Sequence, residues 1–246
     1  MNSQTDKSPD TTAYDYDTIS QGYYDKVFHR KKGVQSKWHA LEYFRVSQEI
    51  PDGASHLDVA CGPGTFISTL PGTVRSTGVD IAQPQIEYAR KNYAAANRTF
   101  EVMEPGRLPF PDATFDVVTS TELVEHITEE EGRKLLAECM RVLKKGGRLV
   151  VTTPNYASGW PVLEWIVNRV APVSYEFQHI TKYKKARLRT FLKDSGFEVV
   201  DVYGFMFTGP FWAALSWKFA GWVDAHEPRF ISRNLGNLLI GVARKP

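Results

Sequence analysis

Cysteine is scarce in this sequence. The 246 residues hold two, Cys61 and Cys139, too few for a disulfide framework or a cysteine-built metal centre. Long apolar runs are missing too. None reaches the ~18–20 residues that cross a bilayer, and the opening MNSQTDKSPDTT has no apolar signal-peptide core. Neither charge is in excess: 30 Lys and Arg face 28 Asp and Glu, a formal net charge of +2. That balance supplies no global field for nucleic acid and no basic tail for anionic membrane. The expected location is the cytoplasm, with peripheral membrane contact left open. What the sequence does have is aromatic residues, with 6 Trp, 11 Tyr and 14 Phe. The length suits a single α/β domain, large enough to bury roughly 70–75% of its unfolded surface without a covalent or metal staple.

The expected organisation is a disordered leader over 1–13 and one domain over 14–246. From Tyr14 to Ile50 the pattern is helical, with Trp38, Leu41, Phe44 and Val46 near one stripe. A regular alternation follows. Strands are predicted at 56–61, 76–80, 99–103, 115–120 and 148–153. Helices are predicted after the Gly62-Pro63-Gly64 turn, at 84–93 and at 130–143, the last stopped by the basic and glycine-rich Lys144-Lys145-Gly146-Gly147. Strands alternating with helices imply a parallel sheet covered on both faces. The alternation breaks over 155–183, resumes with a helix at 184–195 and a strand at 197–203, breaks again over an aromatic-rich 205–230, and ends in an apolar run, 235–242.

The strongest motif is Leu57-Asp58-Val59-Ala60-Cys61-Gly62-Pro63-Gly64-Thr65. A strand delivers the chain to a tight glycine turn at the carboxyl edge of the sheet, where missing Cβ atoms let backbone approach a ligand. Asp80 ends the second strand, 22 residues after Asp58, a placement suited to two hydrogen bonds to a ribose diol. A dinucleotide reading needs G-x-G-x-x-G, but the third glycine position is Ile67. No Tyr-x-x-x-Lys pair offers hydride chemistry.

Four blocks in order, L-D-V-A-C-G-P-G-T, G-V-D at 78–80, L-P-F-P-D-A-T-F-D-V-V at 108–118 and R-V-L-K-K-G-G-R-L-V-V at 141–151, resemble the class I S-adenosylmethionine-dependent methyltransferases. The resemblance covers about residues 35–203. It implies a Rossmann-like three-layer α/β sandwich whose seven-stranded, mostly parallel sheet has an antiparallel last strand. It implies S-adenosylmethionine as methyl donor, with Asp58 orienting the turn and the amino-acid end of the donor. Ala60, Gly62 and Gly64 would give it a backbone cradle, and Asp80 would take the ribose. Ile81 and Glu104 would lie by the adenine, and Thr121 by the methionine part. The family more often has Asp where Glu104 stands.

The fourth strand runs into Thr121-Glu122-Leu123-Val124-Glu125-His126. In a helical continuation Glu122, Glu125 and His126 share a face and can hold a hard divalent cation, with His179 a distant further ligand. E-x-x-E-H, an insertion, then a His before a helix, is similar to the ubiquinone-pathway O-methyltransferases and the small-RNA terminal 2′-O-methyltransferases. That similarity implies a magnesium-type ion on Glu122, Glu125, His126 and His179 that binds the acceptor hydroxyl. Two other roles stand beside it: Glu125 and His126 as a metal-free base and its orienter, or packing alone. His29, His39, His56 and His226 lack comparable company and are expected to pack or face solvent.

Five of the six Trp lie beyond residue 159, in the half expected to choose the acceptor. The segments around Trp160–Val170 and Phe211–Val223 read as a self-packed lid, a pocket for an apolar acceptor, or a membrane-interface contact; oligomeric state is not readable. The expected acceptor is a hydrophobic or lipid-like hydroxyl compound, and not nucleic acid. Competing expectations are a sugar- or antibiotic-type enzyme with a closed polar pocket and a non-catalytic donor-binding module.

Overall fold

The computed structural model describes residues 20–170 and 178–246. The leader at 1–13, the first part of the N-terminal cover and Phe177 lie outside the described residues. So do the side chains of Ile166, Val167 and Val170.

Seven strands form one sheet: β1 Ser55–Val59, β2 Arg75–Asp80, β3 Arg98–Val102, β4 Phe115–Ser120, β5 Leu143–Pro154, β6 Glu198–Phe205 and β7 Leu238–Arg244. Their order across the sheet is β3-β2-β1-β4-β5-β7-β6. The neighbours from β3 to β5 pair in parallel, and β7 runs antiparallel to both β5 and β6. The sheet is the Rossmann-like one the sequence predicts. Side chains alternate across it as the pleat requires. Leu149 and Val151 join a core with Leu135, Leu136, Leu188 and Phe191, whereas Val150 between them joins Trp38, Val46, Phe66 and Leu70. The first set belongs to α5 (Glu129–Val142) and α7 (Lys185–Asp194). The second belongs to α2 (Val34–Ser47), α3 (Thr65–Thr69) and the turn that follows it. The layer with α2 and α3 also holds α4 (Gln83–Tyr93), whose Ile86 and Ala89 pack with Ile67 and Phe100.

Four local expectations are corrected. The N-terminal stretch is two helices, α1 (Tyr23–His29) and α2, separated by a link in which Lys31 and Gly33 take φ 49° and 81°. The apolar stripe read on α2 fails in part: Phe44 is 59% exposed, while Ser36, Lys37, His39 and Glu42 are buried beside Trp38 and Val46. His39 and Glu42 turn inward because they meet a cavity rather than a dry core, whereas Ser36 donates to the Phe28 carbonyl and Lys37 lies over the Trp217 ring. α5 begins on a capping box, Thr128 with Glu131, which satisfies two orphan donors reciprocally. It ends at Val142, with Leu143 already extended (φ −69°, ψ 139°). Gly146 and Gly147 are therefore no helix cap. Gly146 N–H donates to Lys245 O, and Lys245 N–H donates to Gly147 O, closing the outer end of the sheet. Finally, Glu122 through His126 is not helical. Glu122 sits at φ 47°, and the chain turns there, with His126 N–H bonded to Leu123 O at 2.9 Å.

Candidate active site

The carboxyl ends of β1, β2 and β4 open onto a cavity of about 330 Å³. Its floor is the turn after β1. Ala60, Gly62 and Gly64 hold φ of 60°, 51° and 77°, the left-handed region that Gly reaches without strain. The two glycines differ in purpose. A Cβ at Gly62 would meet nothing within 4 Å, so its backbone faces open space in the cavity; one at Gly64 would come within 2.7 Å of Phe100 Cε1. Asp80 binds the turn from β2: Oδ2 accepts the Gly62 N–H at 2.8 Å and Oδ1 the Ala82 N–H at 2.9 Å. Each oxygen keeps further acceptor capacity for a diol. Burial raises the Asp80 carboxyl's pKa, and these backbone bonds oppose the rise.

Asp58 is 1% exposed and accepts the Thr119 hydroxyl at 2.6 Å. Burial lifts its pKa to about 7 against that bond. Behind it, His56 Nε2 lies 2.8 Å from Thr119 Oγ1 and Nδ1 lies 3.0 Å from Ser76 Oγ. The threonine proton goes to Asp58, so Nε2–H donates to Thr119 and Nδ1 accepts from Ser76. Burial alone drives the His56 pKa down to about 3.

Nine of the expected site residues line this cavity: Asp58, Ala60, Gly62, Asp80, Thr121, Glu122, Glu125, His126 and His179. Three do not. Gly64 packs on Phe100 behind the turn. Ile81 is 44% exposed and outside the lining. Glu104 borders a separate shallow groove with Arg107 and Phe110.

The roof is the N-terminal cover. Tyr23, Tyr24, Trp38 and Tyr43 line it, and the Trp38 ring meets that of Trp160 at 5.3 Å. Trp160 begins α6 (Trp160–Val170) within the insertion. Asp25 fastens α1 to the donor-side helices, accepting Thr65 at 2.9 Å, Tyr88 at 2.9 Å and Tyr93 at 2.5 Å. No sequence pattern singled out Asp25, because its partners are polar residues on α3 and α4.

The four expected metal ligands do not converge; they divide. Glu125, His126 and His179 place their ligand atoms within 4.8 Å of one another, and Glu122 joins His39 and Glu42 in a second group with the same spread. The cause is the turn at Glu122, which breaks the i, i+3 relation on which the helical reading depends. In the first group Glu125 is 1% exposed, and among the described residues neither oxygen makes a full hydrogen bond, the Thr153 hydroxyl being beside it. Burial, then the neighbouring Glu122, pushes its pKa well above the usual carboxylate range. His126 Nδ1 lies 3.1 Å from the Gln178 carbonyl, so it carries the proton there. His179 Nδ1 lies 2.6 Å from Glu164 and 2.8 Å from the Tyr156 hydroxyl, which itself donates to Glu164. Burial brings both imidazoles down to about 4, so they are neutral near pH 7.

In the second group Thr152 Oγ1 donates to Glu42 Oε1 at 2.6 Å and Trp38 Nε1–H to Glu122 Oε1 at 3.1 Å. Burial raises these carboxyls to about 7 and about 8, the second also through Glu42. His39 has therefore the company the sequence did not reveal. Glu42, Glu164 and Tyr156 were missed for one reason: each reaches the site from an element whose placement no local pattern encodes.

The aromatic segments divide between pocket and surface. A 3-10 helix, Gly209–Ala214, brings Phe211 to the cavity. Outside it Trp212 meets Phe219 edge to face at 5.2 Å and Phe219 stacks on Trp222 at 5.7 Å, each of the three at least 40% exposed. Phe219 and Trp222 lie on α8 (Trp217–His226), which α9 (Arg229–Leu235) follows. Trp165 on α6 is 57% exposed, with Arg169 over its ring. Among the described residues no helix is long and apolar enough to cross a membrane.

Residues 57–151 match the methyltransferase domain family. The chain is 29% identical over 168 residues to a probable S-adenosylmethionine-dependent methyltransferase of Mycolicibacterium smegmatis, covering 68% of this chain and 60% of that one. It therefore spans less than two thirds of that relative. It is 27% identical over 210 residues to the ubiquinone/menaquinone biosynthesis C-methyltransferase UbiE of Desulfotalea psychrophila, covering 83% of this chain and 79% of that one. A Haloferax volcanii methyltransferase solved with the Trm112 activator shares the fold, with a TM-score of 0.63 at 21% identity over 93% of this chain and 98% of that one. The match over 57–151, with the glycine turn, the Asp80 clamp and the seven-stranded sheet, supports a methyltransferase domain of the class I S-adenosylmethionine-dependent kind.

Proposed function

We propose that the protein transfers the methyl group of S-adenosylmethionine to a hydroxyl of an uncharged, largely apolar small molecule. The observation that carries this reading is the cluster at the wall of an aromatic-roofed cavity, where the fully buried carboxyl of Glu125 stands beside two neutral imidazoles. The sulfonium donor is already activated, so the protein's share of the work is alignment and exclusion of water. Asp58, Asp80 and the turn at 60–64 would hold the donor, and Thr121 would face its methionine part. A neutral imidazole can accept the proton that a hydroxyl releases on methylation, a role open to His126 and His179.

A divalent cation fits the Glu125, His126 and His179 set. The carboxylate has both oxygens to offer, and His179 is backed by a carboxylate, as ligating imidazoles usually are. Such an ion would lower the hydroxyl pKa.

Among the described residues the lining contains no Lys or Arg. That supports an acceptor without phosphate or carboxylate, and the aromatic roof disfavours a closed sugar pocket. The exposed Trp165, Trp212 and Trp222 support delivery of the acceptor from an apolar phase such as a membrane surface.

The test is methyl transfer from radiolabelled donor to matched phenol, aniline and carbon-nucleophile acceptors with apolar tails, with and without EDTA. Transfer to the phenol alone supports the reading, and transfer to carbon or nitrogen alone overturns it. Full activity in excess EDTA removes the cation.

A further inference from the structure

We propose that His39, Glu42 and Glu122 form a second divalent-cation site, which ties the N-terminal cover to the carboxyl end of β4. The inference goes beyond the proposed activity and does not require that the first group hold an ion.

Three observations carry it. First, the groups converge. His39 and Glu42 stand three residues apart on α2, Glu122 comes from the turn after β4, and one ligand atom from each lies within 4.8 Å of the others. Second, His39 is only 8% exposed, yet among the described residues neither ring nitrogen has a hydrogen-bond partner. Its Nδ1 stands 3.8 Å from Glu42 Oε2. That is too long for a hydrogen bond and short enough for one ion, with bonds of about 2.1 Å, to join the two. A buried imidazole left with both nitrogens unused costs free energy unless a ligand takes one. Third, both carboxylates are oriented from behind: Trp38 holds Glu122 Oε1 and Thr152 holds Glu42 Oε1. Donors of this kind aim ligating carboxylates at metals.

One imidazole and two carboxylates suit borderline divalent ions such as Mn²⁺. An ion there would also pin α2 over the cavity, because its ligands come from both the cover and the sheet.

The experiment titrates the EDTA-stripped full-length protein with Mn²⁺ and counts bound ions from the loss of the free-ion electron paramagnetic resonance signal. The expected counts are two per chain for wild type and one for His39→Ala with Glu42→Gln. The count for His126→Ala with His179→Ala is also one, because the second site survives. The single Glu42→Gln change is nearly isosteric and should weaken one of the two affinities at least tenfold. Calorimetry with S-adenosylhomocysteine on each variant reports that the donor half is folded. A His39/Glu42 variant that binds donor and as many ions as wild type overturns the proposal. So does a wild-type count of one that survives this variant and disappears with His126 and His179; that result would leave the first group standing. A count of one lost only with His39 and Glu42 supports this site and counts against an ion on Glu125, His126 and His179.

Discussion

His179 Nδ1 lies 2.6 Å from the carboxylate of Glu164, so helix α6 of the insertion orients an imidazole at the wall of the cavity. The Tyr156 phenol shares that carboxylate at 2.9 and 3.0 Å. Replacing Glu164 by Gln keeps the shape and removes the charge that fixes the tautomer. Loss of such a partner typically lowers metal affinity or activity about 10–100-fold. The expected result is a fall of that size in kcat/KM with unchanged donor affinity in calorimetry. Tyr156→Phe should do less, because the Glu164 contact survives it. Equal donor affinity and equal kcat/KM in Glu164→Gln would sink the role given to His179.

Asp80 is expected to matter on the donor side alone. It holds the Gly62 and Ala82 amides, and its remaining lone pairs would be offered to the ribose of a bound donor. Hydrogen bonds to a charged group contribute about 1.5–3 kcal/mol each. Asp80→Ala, which loses both bonds to the diol, should therefore weaken S-adenosylhomocysteine binding by roughly two to four orders of magnitude in Kd. Calorimetry reads this directly, and a Kd within twofold of wild type would remove Asp80 from the donor site.

The two glycines of the turn should behave differently although both have positive φ. At Gly64 a methyl group would press on Phe100 at 2.7 Å and on Ala89 at 3.0 Å. Strain and overpacking add there, so Gly64→Ala should cost about 2–4 kcal/mol. Spread over a domain of this size, that is a drop of roughly 4–16 °C in Tm. At Gly62 nothing lies within 4 Å, so Gly62→Ala should cost only the backbone strain, about 1 kcal/mol. It should act instead on donor affinity. Differential scanning calorimetry with and without donor separates the two effects.

The difference between these glycines was not legible in G-P-G, and the same limit runs through the site. That Asp58, the turn and Asp80 share one wall of the cavity could be read because they are local: they lie on consecutive strand ends, where the parallel sheet brings them together. The acceptor half is assembled from long-range contacts. Glu122 meets Trp38 across 84 residues and Thr152 meets Glu42 across 110. Periodicity also misled on α2, where the amphipathic rule assumes that the inward face is apolar. His39 and Glu42 point inward because that face borders the cavity, not a dry core. The E-x-x-E-H spacing misled for a backbone reason: it matters only in a helix, and Glu122 at φ 47° is not in one.

His56 gives the clearest test by pH. The ring is wholly buried, bonded to Ser76 and Thr119, with the edge of Phe66 against it and no charged group among these contacts. Its pKa falls from 6.5 to about 3 on folding, through burial. Between those two values the unfolded chain binds the proton that the folded chain refuses, so stability drops as pH falls. The contribution of neutral His56 is whole above pH 6.5 and is lost progressively toward pH 3, by about 1.4 kcal/mol per pH unit. Asp58, with its pKa raised to about 7, pulls the other way, so wild-type stability alone cannot isolate the histidine. The comparison with His56→Gln does. At pH 7.5 the variant should be the less stable, having lost a fitted hydrogen-bonding ring. As pH falls from 6.5 to 4.5 the gap in urea-unfolding free energy should close by about 2–3 kcal/mol. A gap that stays constant over that range would mean that His56 is not held neutral by the fold.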